Sequence, residues 1–190
     1  VNEFQAKSKV PLMIGMDAEW GLFQRIAKAH KYPWAISLGA IQDKNLIYEM
    51  SAKIAEDCKR MGINWDFAPV VDVNTNPNNP IIGNRSFGSD VNNVVNSALA
   101  YSNGLQDNKI LAAIKHFPGH GDTDKDSHLD LPVVSHNLER LEKIEIAPFK
   151  ALMNKGIGGV MVAHLYVPSL ENEKGIPASV SKKIVTGLLK

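Results

Sequence analysis

Residues 110–128 read Ile110-Leu111-Ala112-Ala113-Ile114-Lys115-His116-Phe117-Pro118-Gly119-His120-Gly121-Asp122-Thr123-Asp124-Lys125-Asp126-Ser127-His128. The first five are apolar and have the length of a buried strand. Residues 115–128 that follow hold His116, His120 and His128, out of 6 histidines in the chain, and three aspartates. A polar cluster therefore begins where a buried strand emerges into a loop. Parallel α/β folds build their sites at that place.

Outward from this stretch, strand and helix patterns alternate. Residues 11–17 (PLMIGMD) and 159–163 (GVMVA) read as buried strands, and 63–73 (INWDFAPVVDV) as a strand broken or bulged at Pro69. Helical spacing runs through Leu46, Ile47, Met50, Ile54, Cys58 and Met61, with Asp43 as the expected N-cap and Gly62 as the stop. A second helix covers 90–108. A third covers 137–155, where Pro148 starts a new short helix, and Ser181 caps a last one. Residues 2–8 read as the end of a helix. Strands alternating with helices predict βαβ units and a parallel sheet. Two connections, 74–89 and 117–136, are long, polar and rich in Pro, Gly, Asn and Asp, which marks functional loops.

Composition narrows the field. The chain has 190 residues, 44% hydrophobic and 22% charged, enough for one domain with a sizeable core. A net charge of +1 argues against a nucleic-acid partner. No apolar run is long enough for a transmembrane helix. Cys58 is the only cysteine and sits on an apolar helix face, so it reads as an inert core thiol, and cysteine usage leaves the compartment, cytoplasmic or exported, open.

Each proposed strand ends on a polar residue: Asp17, Asp72, Lys115-His116 and His164. Singly, Asp17 and Asp72 also read as caps or turn formers, and His164 as a hydrogen-bonded structural histidine. Together they predict a partial (β/α)8 TIM barrel with a polar C-terminal face. Within the cluster, an Asp126-x-His128 step can bring a carboxylate to the imidazole Nδ1–H, orienting the ring and raising its basicity for proton transfer near neutral pH. Lys115 and His116 are donors suited to a polyhydroxylated or anionic ligand. Arg85, in a Gly/Asn-rich loop, is either solvated or a planar clamp. Arg25 is either an exposed helix charge or a ligand. Trp20, Trp34 and Trp65 are expected in the core rather than on a sugar ring. A metal set of His116, His120, Asp122 and His128 matches no common zinc spacing and would sit beside the Lys115 cation.

The segment KHFPGHGDTDKDSH (115–128) resembles the signature of glycoside hydrolase family 3, and within it the β-N-acetylhexosaminidase branch, which removes N-acetylglucosamine from peptidoglycan fragments. Three more blocks agree in order and spacing: IGMDAEWGLFQR (14–25), NWDFAPVVDVNTNPNNPIIGNRSFG (64–88) and GGVMVAHLYVP (158–168). The family's β-glucosidase branch lacks the Asp-Ser-His element. The resemblance implies that His128 is the general acid/base and Asp126 its dyad partner. Asp17, Arg25, Arg85, Lys115 and His116 would bind the sugar. It also implies a retaining mechanism, a glycan substrate and no metal or organic cofactor. Residues 1–190 would then be the central portion of the TIM-barrel domain, truncated at both ends, with the nucleophilic aspartate beyond Lys190. Where the family usually has Gly-Gly, this chain has Trp20-Gly21, predicting a bulkier wall near Asp17. The alternatives are a family 3 exo-β-glycosidase of other sugar preference, or a catalytically silent sugar-binding barrel.

Overall fold

The computed structural model describes residues 1–125 and 130–190. Among them, four parallel strands lie side by side in chain order: β1 (Gly15–Met16), β2 (Trp65–Asp66), β3 (Leu111–Phe117) and β4 (Gly159–Val162). Helices α1 (Asn2–Lys7), α2 (Ala35–Gly39), α3 (Asn45–Arg60), α4 (Val91–Asp107), α5 (Leu138–Lys143) and α6 (Ala147–Met153) occupy the stretches before and between them. This is the consecutive βα order of a (β/α)8 barrel wall. No helix among the described residues is long and apolar enough to cross a membrane.

The regular ladders of β1 and β2 are shorter than the apolar runs predict. Pro69 has no N–H to give, so the second run leaves the regular sheet after Asp66. Its edge is still used: Ala113 N donates to Ala68 O at 3.0 Å, Lys115 N to Pro69 O at 3.3 Å, and Val71 N to Lys115 O at 2.8 Å. Strand β3 is buried through Ala112, Ala113, Ile114 and Lys115, as an interior parallel strand must be.

The helix α3 begins at Asn45 rather than at Asp43. Asp43 Oδ1 accepts from Asn45 N at 3.0 Å, making a local turn before the helix instead of capping it. Gly62 is the stop: at φ +75 it ends the helix while Ile63 N reaches back to Cys58 O at 2.9 Å. Asp90 caps α4 by accepting from Asn93 N at 2.7 Å, and Asn137 caps α5 through Arg140 N at 2.9 Å. Pro148 sits in the first turn of α6. Ser181 Oγ accepts from Ile184 N at 3.2 Å, as an N-cap would, but the segment Lys183–Leu188 is wound as a π-helix.

Helices α3 and α4 pair closely. Ile47, Ile54, Ala55 and Cys58 face Val94, Ala98, Tyr101 and Leu105 in one core. Gly104 makes the crossing possible: a Cβ there would lie 2.0 Å from Ser51 Oγ and 2.3 Å from Tyr48 O. Tyr101 Oη reaches from this layer to the exit of β1, donating to Glu19 O at 3.1 Å. The helical layer thus fixes the height at which β1 releases its polar residues.

Candidate active site

The polar residues that follow the strands converge on one cleft of about 620 Å³, a size that suits a small ligand. Asp17, Arg25, Arg85, Lys115 and His116 all line it. Asp126 and His128 lie outside the described residues.

At its floor is Lys115, whose side chain is only 2% exposed. Its Nζ lies 2.9 Å from Asp17 Oδ1 and 2.8 Å from Glu19 Oε1. Burying an ammonium is costly unless it is paired, and here two carboxylates from the exit of β1, two strands away, do so. Arg25 Nη2 is 2.5 Å from Asp17 Oδ2. Arg25 follows a short 3-10 turn, Leu22–Gln24; it is exposed, as expected of a helix charge, but it sits on no α-helix and is paired to Asp17. Burial opposes ionisation of Asp17, but Lys115 and Arg25 outweigh it and hold the carboxyl below its ordinary value. Burial acts the same way on Glu19, and Arg85 with Lys115 draws that carboxyl down to about 2.

Arg85 is placed by its own loop: Gly83–Arg85 forms a 3-10 turn and Arg85 Nη1 donates to Ile81 O at 3.2 Å. It is a clamp and not a solvated charge, being bound to Glu19 and in contact with His116, whose Nε2 is 3.3 Å from Nη2.

A bulge positions His116. Lys115 pairs with Met161 and Phe117 with Val162, so His116 is the extra residue on β3 and has no ladder partner. Its freed N–H points at the Asp72 carboxylate, 3.2 Å from Oδ2, and its Nδ1 lies 2.7 Å from the same oxygen. A guanidinium only donates. Facing Arg85, Nε2 therefore carries the lone pair and Nδ1 carries the proton given to Asp72. Asp72 is fully buried and also accepts from His120 N at 2.6 Å, so it is a positioning group rather than a helix cap.

His120 lines the cleft as well. Thr123 Oγ1 donates to His120 O at 3.0 Å and so accepts from His120 Nδ1–H at 2.5 Å. That leaves Nε2 as a buried acceptor without a partner among the described residues. Burial lowers the pKa of this imidazole. The two long loops are locked together here: Asn79 Nδ2 donates to His120 O at 2.8 Å.

Of the four-residue metal set weighed from the sequence, His128 lies outside the described residues. The other three have protein partners: His116 contacts Asp72, His120 contacts Thr123, and Asp122 pairs with His136. Asp122, His136 and Glu145 do bring ligand-type atoms within 4.8 Å of one another, but the Arg140 guanidinium already supplies a cation there, 3.2 Å from Glu145 Oε1. Three further groups at the site were not singled out beforehand: Glu19, Asp66 and His120 as a cleft residue. Asp66 is fully buried, accepts from Ala18 N at 2.9 Å, and is pushed by burial up to about 7. Trp20, Trp34 and Trp65 are each only partly buried, and Trp20 lines the cleft, so the core expectation fails for it. His164 hydrogen-bonds Ser179 Oγ, as a structural histidine would, and also lines the cleft.

The family model described as the glycosyl hydrolase family 3 N terminal domain matches residues 2–190. The chain belongs to glycoside hydrolase family 3. Its family 3 relatives include "Beta-hexosaminidase A" of Pseudoalteromonas piscicida, 38% identical over 98% of this chain and 34% of that protein. Among solved structures, a family 3 β-N-acetylglucosaminidase from Paenibacillus sp. str. FPU-7 superposes with a TM-score of 0.90 at 42% identity, covering 95% of this chain and 34% of the other. NagZ from Neisseria gonorrhoeae in complex with N-trifluoroacetyl-D-glucosamine gives a TM-score of 0.90 at 33% identity, with 99% and 57% covered. The chain thus spans about a third of the first two proteins and a little over half of the third. These matches place its parallel α/β sheet in the TIM-barrel type of the family 3 N-terminal domain.

Proposed function

We propose that this chain forms the sugar-binding and acid/base part of a retaining β-N-acetylglucosaminidase that removes terminal non-reducing N-acetylglucosamine. The convergence of Asp17, Arg25, Arg85, Lys115 and His116 on one cleft carries the reading. Paired charges held at fixed distances offer both donors and acceptors to a ring of hydroxyls without reorganising. Asp126 and His128 follow Lys115 and His116 in the same stretch of sequence.

In this reading His128 gives its proton to the glycosidic oxygen as the C1–O bond breaks, and a nucleophilic aspartate outside residues 1–190 forms the new C1–O bond on the opposite face. His128 then takes a proton from the water that releases the sugar. Asp126 orients the ring and stabilises its charged form. Lys115 and Asp17 bind hydroxyls from the cleft floor, and His116, with its tautomer set by Asp72, adds a fixed contact beside Arg85.

The test is release of 4-nitrophenol from its β-N-acetylglucosaminide by the complete protein, set against the glucoside and galactoside. Preference for the N-acetylglucosaminide supports the reading. Preference for another sugar, or no turnover in any, turns it toward the broader exo-glycosidase or the silent barrel.

A further inference from the structure

Part of the cleft lining is apolar and takes no part in the ion pairs: Trp20, Phe67, Ile81, Met161 and Val162 all border it. Local geometry fixes Trp20. Ala18 N donates inward to Asp66, and Glu19 turns inward to Arg85 and Lys115. The chain then reverses: Gly21 N donates to Ala18 O at 2.8 Å, with Gly21 at φ +80. A tight turn from 18 to 21 sets the indole of Trp20 at the cleft while its carbonyl accepts from Tyr32 N at 3.2 Å. Behind it stands Trp34, with ring centroids 4.1 Å apart and planes tilted by 48°. Lys31 Nζ in turn lies 5.8 Å from the Trp34 ring centroid. Trp20 therefore packs against a second aromatic and also lines the cavity.

Three residues before Trp20 is Asp17, and five after it is Arg25, ion-paired to each other at 2.5 Å and lining the same cleft. A ligand that fits both must carry hydroxyls on its rim and C–H groups on a face. A pyranose has that division. We propose that Trp20 is a sugar-stacking, specificity-determining residue: its indole packs on the C–H face of a pyranose whose rim hydroxyls Asp17 and Arg25 hold, and Trp34 keeps the indole in place. This rests on the glycosidase reading above, because it assumes that the cleft takes a sugar.

The test uses the complete protein. A panel of 4-nitrophenyl β-glycosides first names the sugar that is cleaved fastest, a result that bears on the function proposed above and not on the stack. Trp20→Phe, Trp20→Leu and Trp20→Gly are then assayed on that substrate. The expected result is a KM raised about tenfold or more in Leu and Gly, equivalent to about 1.4 kcal/mol, with kcat changed far less. Phe, which keeps an aromatic face, should stay close to wild type. Leu keeps apolar bulk, so a merely structural Trp20 would tolerate it.

Titration with the free sugars should change tryptophan emission in the wild type, and that change should be missing from Trp20→Phe although the variant still binds. An unchanged KM in Leu and Gly, or a Phe variant as damaged as Gly, overturns the stack. If no glycoside is cleaved, or if Leu and Gly do not fold, the emission comparison decides: a sugar-dependent change lost in Trp20→Phe supports the stack, and no change in the wild type rejects it.

Discussion

Arg85 grips Glu19 with two parallel hydrogen bonds, Nε to Oε2 at 2.9 Å and Nη2 to Oε1 at 2.7 Å. The fork joins the exit of β1 to a loop 66 residues later in the chain, and Lys115 completes it from β3. Because each partner is largely buried, removing one strands the others. Glu19→Gln should therefore lower stability near neutral pH by about 3–5 kcal/mol, measured by urea unfolding. The difference has a defined pH dependence. The folded-state pKa of Glu19 is depressed to about 2 from an ordinary 4.5, so its contribution is present above the ordinary value and fades as pH falls toward 2. The wild-type and variant curves should converge over that window. A gap that stays constant down to acid would refute the assignment.

Asp66 behaves in the opposite sense. Burial raises its folded-state pKa from 3.8 to about 7, so the proton it holds favours the folded state at low pH, and that advantage is lost as pH rises through 7. Asp66→Asn removes the titration. Thermal melts should show the variant gaining on the wild type as pH rises from about 5 to 7, at about 1.4 kcal/mol per pH unit, and no further gain from about 7 to 8. Parallel curves would mean that the carboxyl titrates normally.

The α3–α4 crossing gives a prediction free of chemistry. Gly104→Ala forces a methyl group to within 2.3 Å of the Tyr48 carbonyl. Overpacking of this kind costs about 1–3 kcal/mol. Gly187→Ala, with nothing within 4 Å of the added Cβ, is the matched control and should lose much less. Helix propensity alone favours alanine at both positions, so equal changes in the two variants would show that the close contact at Gly104 costs nothing.

For the proposed dyad, His128→Ala should slow hydrolysis of glycosides with poor leaving groups by about 10²–10⁴-fold and that of activated aryl glycosides much less, because a good leaving group needs little protonation. Asp126→Asn should show the same selectivity in weaker form. Kinetics on a chitobiose-type disaccharide and on the 4-nitrophenyl glycoside separate the cases, and equal small losses on both would count against His128 as the acid.

The strand exits were legible because a parallel sheet buries its strands whole, so polar residues mark the ends: Asp17, Asp72, Lys115 and His116 all fell where the apolar runs stop. The helices were legible from apolar spacing, with errors at the edges such as Asp43, where an aspartate before a helix can cap it or only turn the chain. What the sequence could not show is which carboxylate does what. Asp66 and Asp72 sit in one apolar run, yet one takes a backbone N–H and holds a raised pKa, and the other anchors two histidines. That difference arises from the bulge at His116, a feature of strand register between β3 and β4 that no local pattern encodes. Trp20 is expected in the core rather than on a sugar ring for a related reason, since an indole in a turn looks the same in sequence whether it faces a core or a cavity.

The lone thiol has a practical use. Cys58 is fully buried in the α3–α4 layer, and burial pushes its pKa up to about 12. A thiolate is the reactive form, so this sulfur stays protonated and screened at any pH at which the protein is handled. Maleimides and disulfide reagents should pass it by. A cysteine introduced at an exposed position, such as Lys31 beside the aromatic wall or Lys125 ahead of the dyad, would then be the single labelling point on this chain. Its fluorophore would report sugar binding without any need to engineer the native thiol away.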